Sequence, residues 1–590
     1  MTPTAPVFDA DGRLIETPFA PSASTPELTE KDAVRRFLAA PQVAAWLERY
    51  PPSPPTEGEF DRRTRHWRVH VWSGEAGEIA TGVVDDGGGR VLEAWTGPQV
   101  AWKMARGRPG AFGGRTLTSW PVWLALSAVF LLALADVRRP LALRNLDLLV
   151  LLSFGLSLVF FNRGEVMRSA PLAYPPLLYL LCRTAWIGFR HRPLRRARPV
   201  WPVWLLAALA IFLLGLRVGL NVEAPRAVID VGYAGVIGAD RIIDGQAPWG
   251  HMPVEDDRTP CGPTDAEGEI RERIQVNGRC ESANPRGDTY GPVAYLVYAP
   301  AVAVFGWSGR WDELPAAHAT AIALDLLAIL GLVLVGLRLG GNPLAATLAV
   351  AWAAYPFTTY ALLANTNDAI MPAALVWGFW LATSAWARGA AVAVAGWSKF
   401  AALLVTPLWL AYPDGLSRRS ALRFAAAFGT VTLAVFSVLL VEPSLGAAVR
   451  TFWDRTIGFQ LGRDSPFSIW GYGQYHAAGI PDLAWLRTVL QPLVIALALV
   501  TTVLPRRRGP LELAALTAAI LLATQLVLTH WFYLYLPWIL PFVVLAVLLP
   551  GDELPPCGAC VESTQAAGAV TAMGSAGSRS PAPGPSPGRS

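Results

Sequence analysis

The chain has 590 residues, 53% of them hydrophobic and 16% charged, with 24 tryptophans and a formal net charge of +5. Soluble domains carry about a quarter charged residues, so an ordinary soluble protein is excluded. The apolar blocks have roughly the 20-residue length that crosses a bilayer. The basic residues sit in short loops between these blocks, where membrane topology accounts for them, and nucleic acid is not implied. Five cysteines are too few for a disulfide scaffold. Cys557 and Cys560 form CGAC, a weak metal or redox signal beside a Gly/Pro/Ser-rich end. The first thirty residues lack the apolar core of a signal peptide.

Residues 1–114 read as a separate soluble α+β domain. DAVRRFLAAPQVAAWLERY has helical spacing. In the segment that follows, Trp67, Val69 and Val71 alternate with polar residues, and the turn DDGGGR leads into a second alternating run. This pattern predicts a β-hairpin after a helix. The order, ending in VVDDGGGRVLEAWTG, resembles the small PepSY-type domain, which implies a binding or regulatory module.

Spanning helices are expected near 118–135, 145–161, 171–189, 201–220, 315–337, 343–361, 368–386, 420–441, 485–504, 511–529 and 531–549. The fold class is therefore an all-α polytopic membrane protein with about 11 spans and a small N-terminal α+β domain. Additional helices at 115–200 precede a main domain at 201–550, and the tail 551–590 reads as disordered low-complexity sequence.

The loops DVRRPLALRN, FRHRPLRRARP, RLGGNP, LSRRSALR and PRRRGP, with ARG at 387–389, read as cytoplasmic. Counting from them leaves two apolar stretches that cannot cross. Residues 289–307, with Pro292 and Pro300, are expected to lie at the outer surface. Residues 389–411 are expected to dip in and return, with Lys399 near the turn; such broken backbone is tolerable only where protein or a wet cavity covers it. The loops 221–314 and 442–484, the Asn365–Asp368 turn and His530 then share the extracytoplasmic face, together with the N-terminal domain.

The first outer loop opens with DVGYAGVIGADRIIDGQAPWG and returns with DTYGPVAYLVYAP. On Asp230, Tyr233, Gly238, Gly245, Pro248–Trp249, Tyr290 and Pro292, then ANTND (364–368) and AGWSKFAALLVTPLWL, the chain resembles the polyprenyl-phosphate-dependent glycosyltransferases of the GT-C superfamily, especially glycosyltransferase family 87. The resemblance covers roughly 200–550 and lies in the order of soft motifs. Ala364 stands where the family has Gly, helices at 118–220 are extra, and 251–287 is a long insert. It implies a plasma-membrane enzyme with an extracytoplasmic site. Such an enzyme moves a hexose, such as mannose, from a polyprenyl-phosphate donor to a cell-envelope glycolipid, glycan or protein acceptor.

That chemistry needs a carboxylate to accept the hydroxyl proton and cations to hold the departing phosphate. Asp230 aligns with the family's loop acid and is the candidate base; the bland alternative is a solvated acid at the membrane rim. Asp240 and Asp244 read as surface and capping residues. Lys399 at membrane depth, with Arg455 and Arg463, would hold the phosphate, unless the arginines simply pair with Asp454 and Asp464. Tyr233, Tyr290, Asn365, Asn367, Trp470 and His530 are candidate substrate contacts, with an interfacial aromatic belt as the alternative for the rings. No cofactor is demanded, and EDD at 255–257 leaves a divalent cation open. Cys261 and Cys280 are expected to be bonded on an oxidising side. The competing reading is a non-enzymatic transporter or flippase of an envelope intermediate. It would call for ionisable residues at mid-membrane in paired repeats, whereas here they gather at one face.

Overall fold

The computed structural model describes residues 7–8, 14–16, 26–62, 64–73, 77–96, 100, 120–162, 166–190, 201–254, 258–263, 272–463, 467–470 and 483–549. Its N-terminal part has helices Glu30–Leu38 and Pro41–Leu47 packed on a four-stranded antiparallel meander, Thr56–Asp61, His66–Ser73, Gly77–Asp85 and Val91–Thr96. Alternation sends Trp67, Val69 and Val71 into one core with Phe37 and Val43. The expected hairpin is present, with strands on both sides of its turn, but the sheet is larger than expected. Thr56–Asp61, TEGEFD, is an edge strand with no fully buried residue, so it offers no apolar period to read.

Asp86, fully buried, ties this domain together. Its carboxylate accepts from the backbone N–H groups of Glu27 and Leu28 at 3.0 Å each, from the Trp67 indole at 3.1 Å and from Arg65 at 2.8 Å. Burial pushes the carboxyl up, yet these donors outweigh it and hold the group below the usual carboxylate range.

The rest of the described chain is mainly helical, as a helical membrane protein requires. Among the described residues five helices are long and apolar enough to cross a bilayer: Leu143–Phe161, Val203–Val222, Pro315–Ala354, Arg418–Val441 and Pro510–Val527. Pro315–Ala354 is two helices folded back on each other at Gly341 (φ 70°, ψ −163°), just before Pro343. The fold-back is tight, since a Cβ on Gly336 would stand 2.4 Å from Ala345 Cα. Other expected spans are shorter than anticipated. The stretch 343–361 is interrupted at Tyr355, which is extended between Ala354 and the helix Pro356–Leu363; the ring of Pro356 disfavours a helical residue before it.

Residues 289–307 contain only two short helices, Val293–Leu296 and Ala299–Phe305, too short to cross. Residues 385–411 form a hairpin. The helix Ala385–Ser398 ends at Lys399, whose backbone is extended (φ −138°, ψ 111°), and the chain returns through a 3₁₀ turn, Phe400–Val405, and the helix Thr406–Ala411. The limbs run antiparallel: Gly396 packs on Leu403, and Arg388 Nε donates to the Trp409 carbonyl at 2.8 Å. Arginines staple the base, because helix ends leave carbonyls without intrahelical donors. Arg388 also donates to Ala382 O and Ser420 Oγ, and Arg508 donates to Ala411 O and Thr501 O. Lys399 is the apex, opposite this basic end.

In the long loop, strands Pro260–Cys261, Glu272–Ile274 and Cys280–Ser282 form a small sheet, and Cys261 is joined to Cys280. The sheet docks on the helix Asp230–Ile243 through a buried Arg241–Glu281 pair and through Arg279, which bonds Asp240 and Asp244. Asp240 and Asp244 therefore serve the scaffold. The acidic run 255–257 and the CGAC pair lie outside the described residues.

Because the folded pKa of Asp86 lies below the unfolded one, its stabilisation is complete above the ordinary carboxylate range and is lost as pH falls through the depressed value. Asp86→Asn in the full chain should speed amide exchange of the meander by about 10–100-fold at neutral pH. The difference from wild type should shrink below about pH 4. Unchanged exchange would remove Asp86 from this role.

Candidate functional site

Two glycines let the site assemble. Gly232, in the first turn of the helix Asp230–Ile243, lies against the Asn365 carbonyl; a Cβ there would be 2.1 Å from that oxygen. Ile229 N–H donates to Ala364 O at 2.9 Å beside it. Asp230 and the 364–368 turn are thereby brought together. On the opposite side, a Cβ on Gly291 would be 2.1 Å from the Trp397 carbonyl, so Gly291 seats the Tyr290 loop against the hairpin apex.

Lys399 and Asp368 meet at this junction. Lys399 Nζ is 3.0 Å from Asp368 Oδ1, with the two side chains only 6% and 2% exposed. The ammonium stands 4.3 Å from the Tyr290 ring centroid and 5.9 Å from that of Trp538, within cation–π range. The Trp538 indole donates to Asp368 Oδ1 at 3.1 Å, and Thr366 Oγ1 donates to Oδ2. Asp230 and Arg463 both lie within electrostatic reach of Lys399, Tyr290 and Tyr535. The structure thus gathers Asp230, Tyr290, Lys399 and Arg463 from four separated segments, and adds Asp368.

Asp368 was not among the candidates singled out from sequence. The signal was available: an acid flanked by apolar segments is costly at that depth for the same reason as Lys399, and the two charges are natural partners.

The remaining candidates divide. Asn365, at φ 51°, is fully engaged by the scaffold. Its amide donates to Ala227 O at 2.7 Å, and its oxygen accepts from Asn221, which also bonds His318 at 2.8 Å. Its expected substrate contact gives way to a role in holding the turn. Tyr233 is buried, stacked on Trp311 at 4.3 Å, and donates to Ser282 O; it too is scaffold. Arg455 Nε lies 2.7 Å from Asp288 Oδ2, and Nη2 donates to Pro285 O at 2.7 Å. Its partner is across the fold rather than the adjacent Asp454, and it straps the 285–288 loop in place. Trp470 donates to Leu526 O at 2.8 Å and packs edge-on to Tyr174. His530 packs against Phe467 and Tyr535, and Tyr535 stacks on Trp538 at 4.2 Å. Asn367 is buried, and its Oδ1 has no hydrogen-bond partner among the described residues. It is the asparagine of the turn with capacity left over. Asp464 lies outside the described residues. Among the described residues no group of three or more His, Cys, Asp and Glu is arranged to hold a metal.

An almost wholly apolar groove of about 810 Å³ lies between Val293, Val297, Leu324, Ile370, Trp377 and Val394. Ile370 follows Asp368 by two residues and Val293 follows Tyr290 by three in the chain. In comparisons with protein-family models, curated proteins and solved structures, nothing matches the chain.

Gly232→Ala and Gly291→Ala should each destabilise the fold, by about 1–3 kcal/mol as overpacking does. Gly215→Ala, whose Cβ would meet nothing within 4 Å, should not. Thermal melts followed by tryptophan fluorescence check this, and three equal midpoints would dissolve the close-approach argument.

Proposed function

We propose that the chain is an integral membrane glycosyltransferase that moves a hexose, such as mannose, from a polyprenyl-phosphate donor to a cell-envelope acceptor at the extracytoplasmic surface. The observation that carries this reading is the buried Lys399 at a hairpin apex, within electrostatic reach of Asp230 and Arg463, with an apolar groove whose lining draws on the segments that follow Tyr290 and Asp368 and precede Lys399. A prenyl phosphate has the matching form, an apolar chain ending in an anion. The order of motifs from Asp230 to the Lys399 hairpin, resembling the GT-C glycosyltransferases, supports the same reading.

In this mechanism the acceptor hydroxyl gives its proton to the Asp230 carboxylate as its oxygen attacks the anomeric carbon. The bond from that carbon to the phosphate oxygen breaks, and the electron pair leaves with the phosphate. One displacement inverts the anomeric centre. Lys399 and Arg463 balance charge on the departing phosphate, in a site shielded from water where such interactions are strong. Tyr290 offers a ring face and Asn367 Oδ1 an acceptor to the sugar. Asp230, half-buried at a helix N-terminus that favours negative charge, remains reachable by an acceptor.

The basic base of the Lys399 hairpin supports a re-entrant element entered from the cytoplasm, and the Cys261–Cys280 bond supports an oxidising side for the long loop. Trp95 of the N-terminal sheet meets Phe161 edge-on at 6.3 Å, and Phe161 packs on Phe467. This contact favours an N-terminal domain on the same side as the site, where a PepSY-like module could bind or regulate. One observation favours the transporter reading: Arg217 and Asp325 form a buried pair between two spanning helices, 3.0 Å apart, as ion-coupled carriers use.

Sugar transfer from defined polyprenyl-phosphate hexoses, tested one donor at a time with the purified protein, separates the two readings. Asp230→Asn should lower kcat by about 10²–10⁴-fold with little change in donor KM. Lys399→Met should chiefly raise donor KM. A near-normal kcat in Asp230→Asn, at equal membrane insertion, would return that acid to the membrane rim.

A further inference from the structure

Lys399 already holds a counter-charge. The Asp368 carboxylate lies 3.0 Å from its ammonium, the very cation a bound phosphate needs, and Asp230 and Arg463 lie within electrostatic reach of it. Asp368 is not free to move away. Its two oxygens are held by the Trp538 indole and the Thr366 hydroxyl, and its own N–H by Thr366 Oγ1 at 3.3 Å. Lys399, by contrast, has a flexible four-carbon stem and three donor protons.

We infer that Asp368 is a positioning residue that competes with the lipid phosphate for Lys399, loosening the site's hold on the polyprenyl-phosphate product so that it can leave. The inference rests on the glycosyltransferase reading. A cation buried without a counter-charge would bind phosphate tightly whether or not the phosphate still carried sugar. A fixed carboxylate beside the ammonium takes it back when the phosphate departs, and keeps the lysine oriented by Tyr290 and Trp538 for the next donor. Asp230, half-buried, is left to the acceptor proton.

The experiment measures binding to the full-length protein in lipid nanodiscs with three probes: polyprenyl phosphate, the matching polyprenol and inorganic phosphate. Asp368→Asn keeps the shape and removes the charge. It should bind polyprenyl phosphate about tenfold or more tighter than wild type, as expected for relief from a close competing charge, while polyprenol binding stays unchanged. Asp368→Glu should return affinity toward the wild-type value, and Lys399→Gln should erase the preference for phosphate over alcohol. Damage to the fold weakens binding, so a tightened complex is a result that a merely structural role would not produce. Asp368→Ala carries the same expectation if the Asn variant does not fold. Equal or weaker polyprenyl-phosphate binding in the neutral Asp368 variants overturns the inference. A wild-type protein that binds polyprenol as well as its phosphate overturns instead the reading on which the inference rests. Inorganic phosphate binding as tightly as the lipid form would overturn the lipid headgroup as the source of the anion.

Discussion

A lysine in the apolar interior is the constraint around which the main domain is arranged. Inserting such a charge at the centre of a membrane helix costs about 2.5–3.5 kcal/mol on insertion scales, and the cost must be offset locally. Here Asp368 supplies the counter-charge, and Tyr290 and Trp538 supply ring faces. None of the three is near Lys399 in sequence, so the 364–368 turn, the 290 loop and the last apolar helix must all reach the hairpin apex. Gly291 permits one of those approaches at backbone distance, and Gly232 lets the helix of Asp230 close on the 364–368 turn. The hairpin itself must break its helix at Lys399, which is tolerable because protein surrounds the broken backbone.

A second buried network keeps that meeting point in register. Asn221 on the entry helix bonds Leu362 O and Asn365, His318 bonds Asn221 and faces Pro225 O, and Asn365 bonds Ala227 O. These contacts join the end of one spanning helix, the start of another and the turn that carries Asp368. One helical turn along the entry helix from Asn221, Arg217 meets Asp325, whose carboxylate also accepts from the Trp352 indole. Buried polar groups left unsatisfied are expensive in such surroundings, so partners of this kind favour one arrangement of the helices over slipped ones. The two asparagines thus act on the site through the backbone they fix, which is why Asn365 belongs with the scaffold.

The legibility of these features in the sequence follows the range of the interactions behind them. A lone cation in the run 389–411 is conspicuous, and basic flanks on both sides imply that the run returns; the apex at Lys399 could be read for that reason. Asp240 and Asp244 could be read only as surface and capping residues; their bonds to Arg279, 39 and 35 residues away, were not legible. Pairings across long separations could not be read. Arg455 sits beside Asp454 but bonds Asp288, 167 residues away, and no local pattern announces that. Asp368 was overshadowed by its asparagine neighbours. Hydropathy also overstated the lengths of helices, since apolar composition continues across breaks such as Tyr355 that backbone sterics impose. In the N-terminal domain, the strand TEGEFD was hidden by its exposure.

The two acids beside Lys399 illustrate how surroundings divide labour between identical groups. Asp368 is buried, receives hydrogen bonds on both oxygens and touches the ammonium, so its charge is fixed in place. Asp230 is half-buried at the start of a helix and close to the loop 284–290, whose Asn284 donates to the Asp230 backbone oxygen. A group that must accept and release a proton has to be reachable, whereas a group that balances a buried cation has to be shielded. In the proposed reaction, exchanging their environments would spoil both roles: a buried base could not meet its acceptor, and a solvated counter-charge would hold Lys399 only weakly. The asymmetry of burial, not the identity of the residues, is what separates the two acids in the proposed reaction.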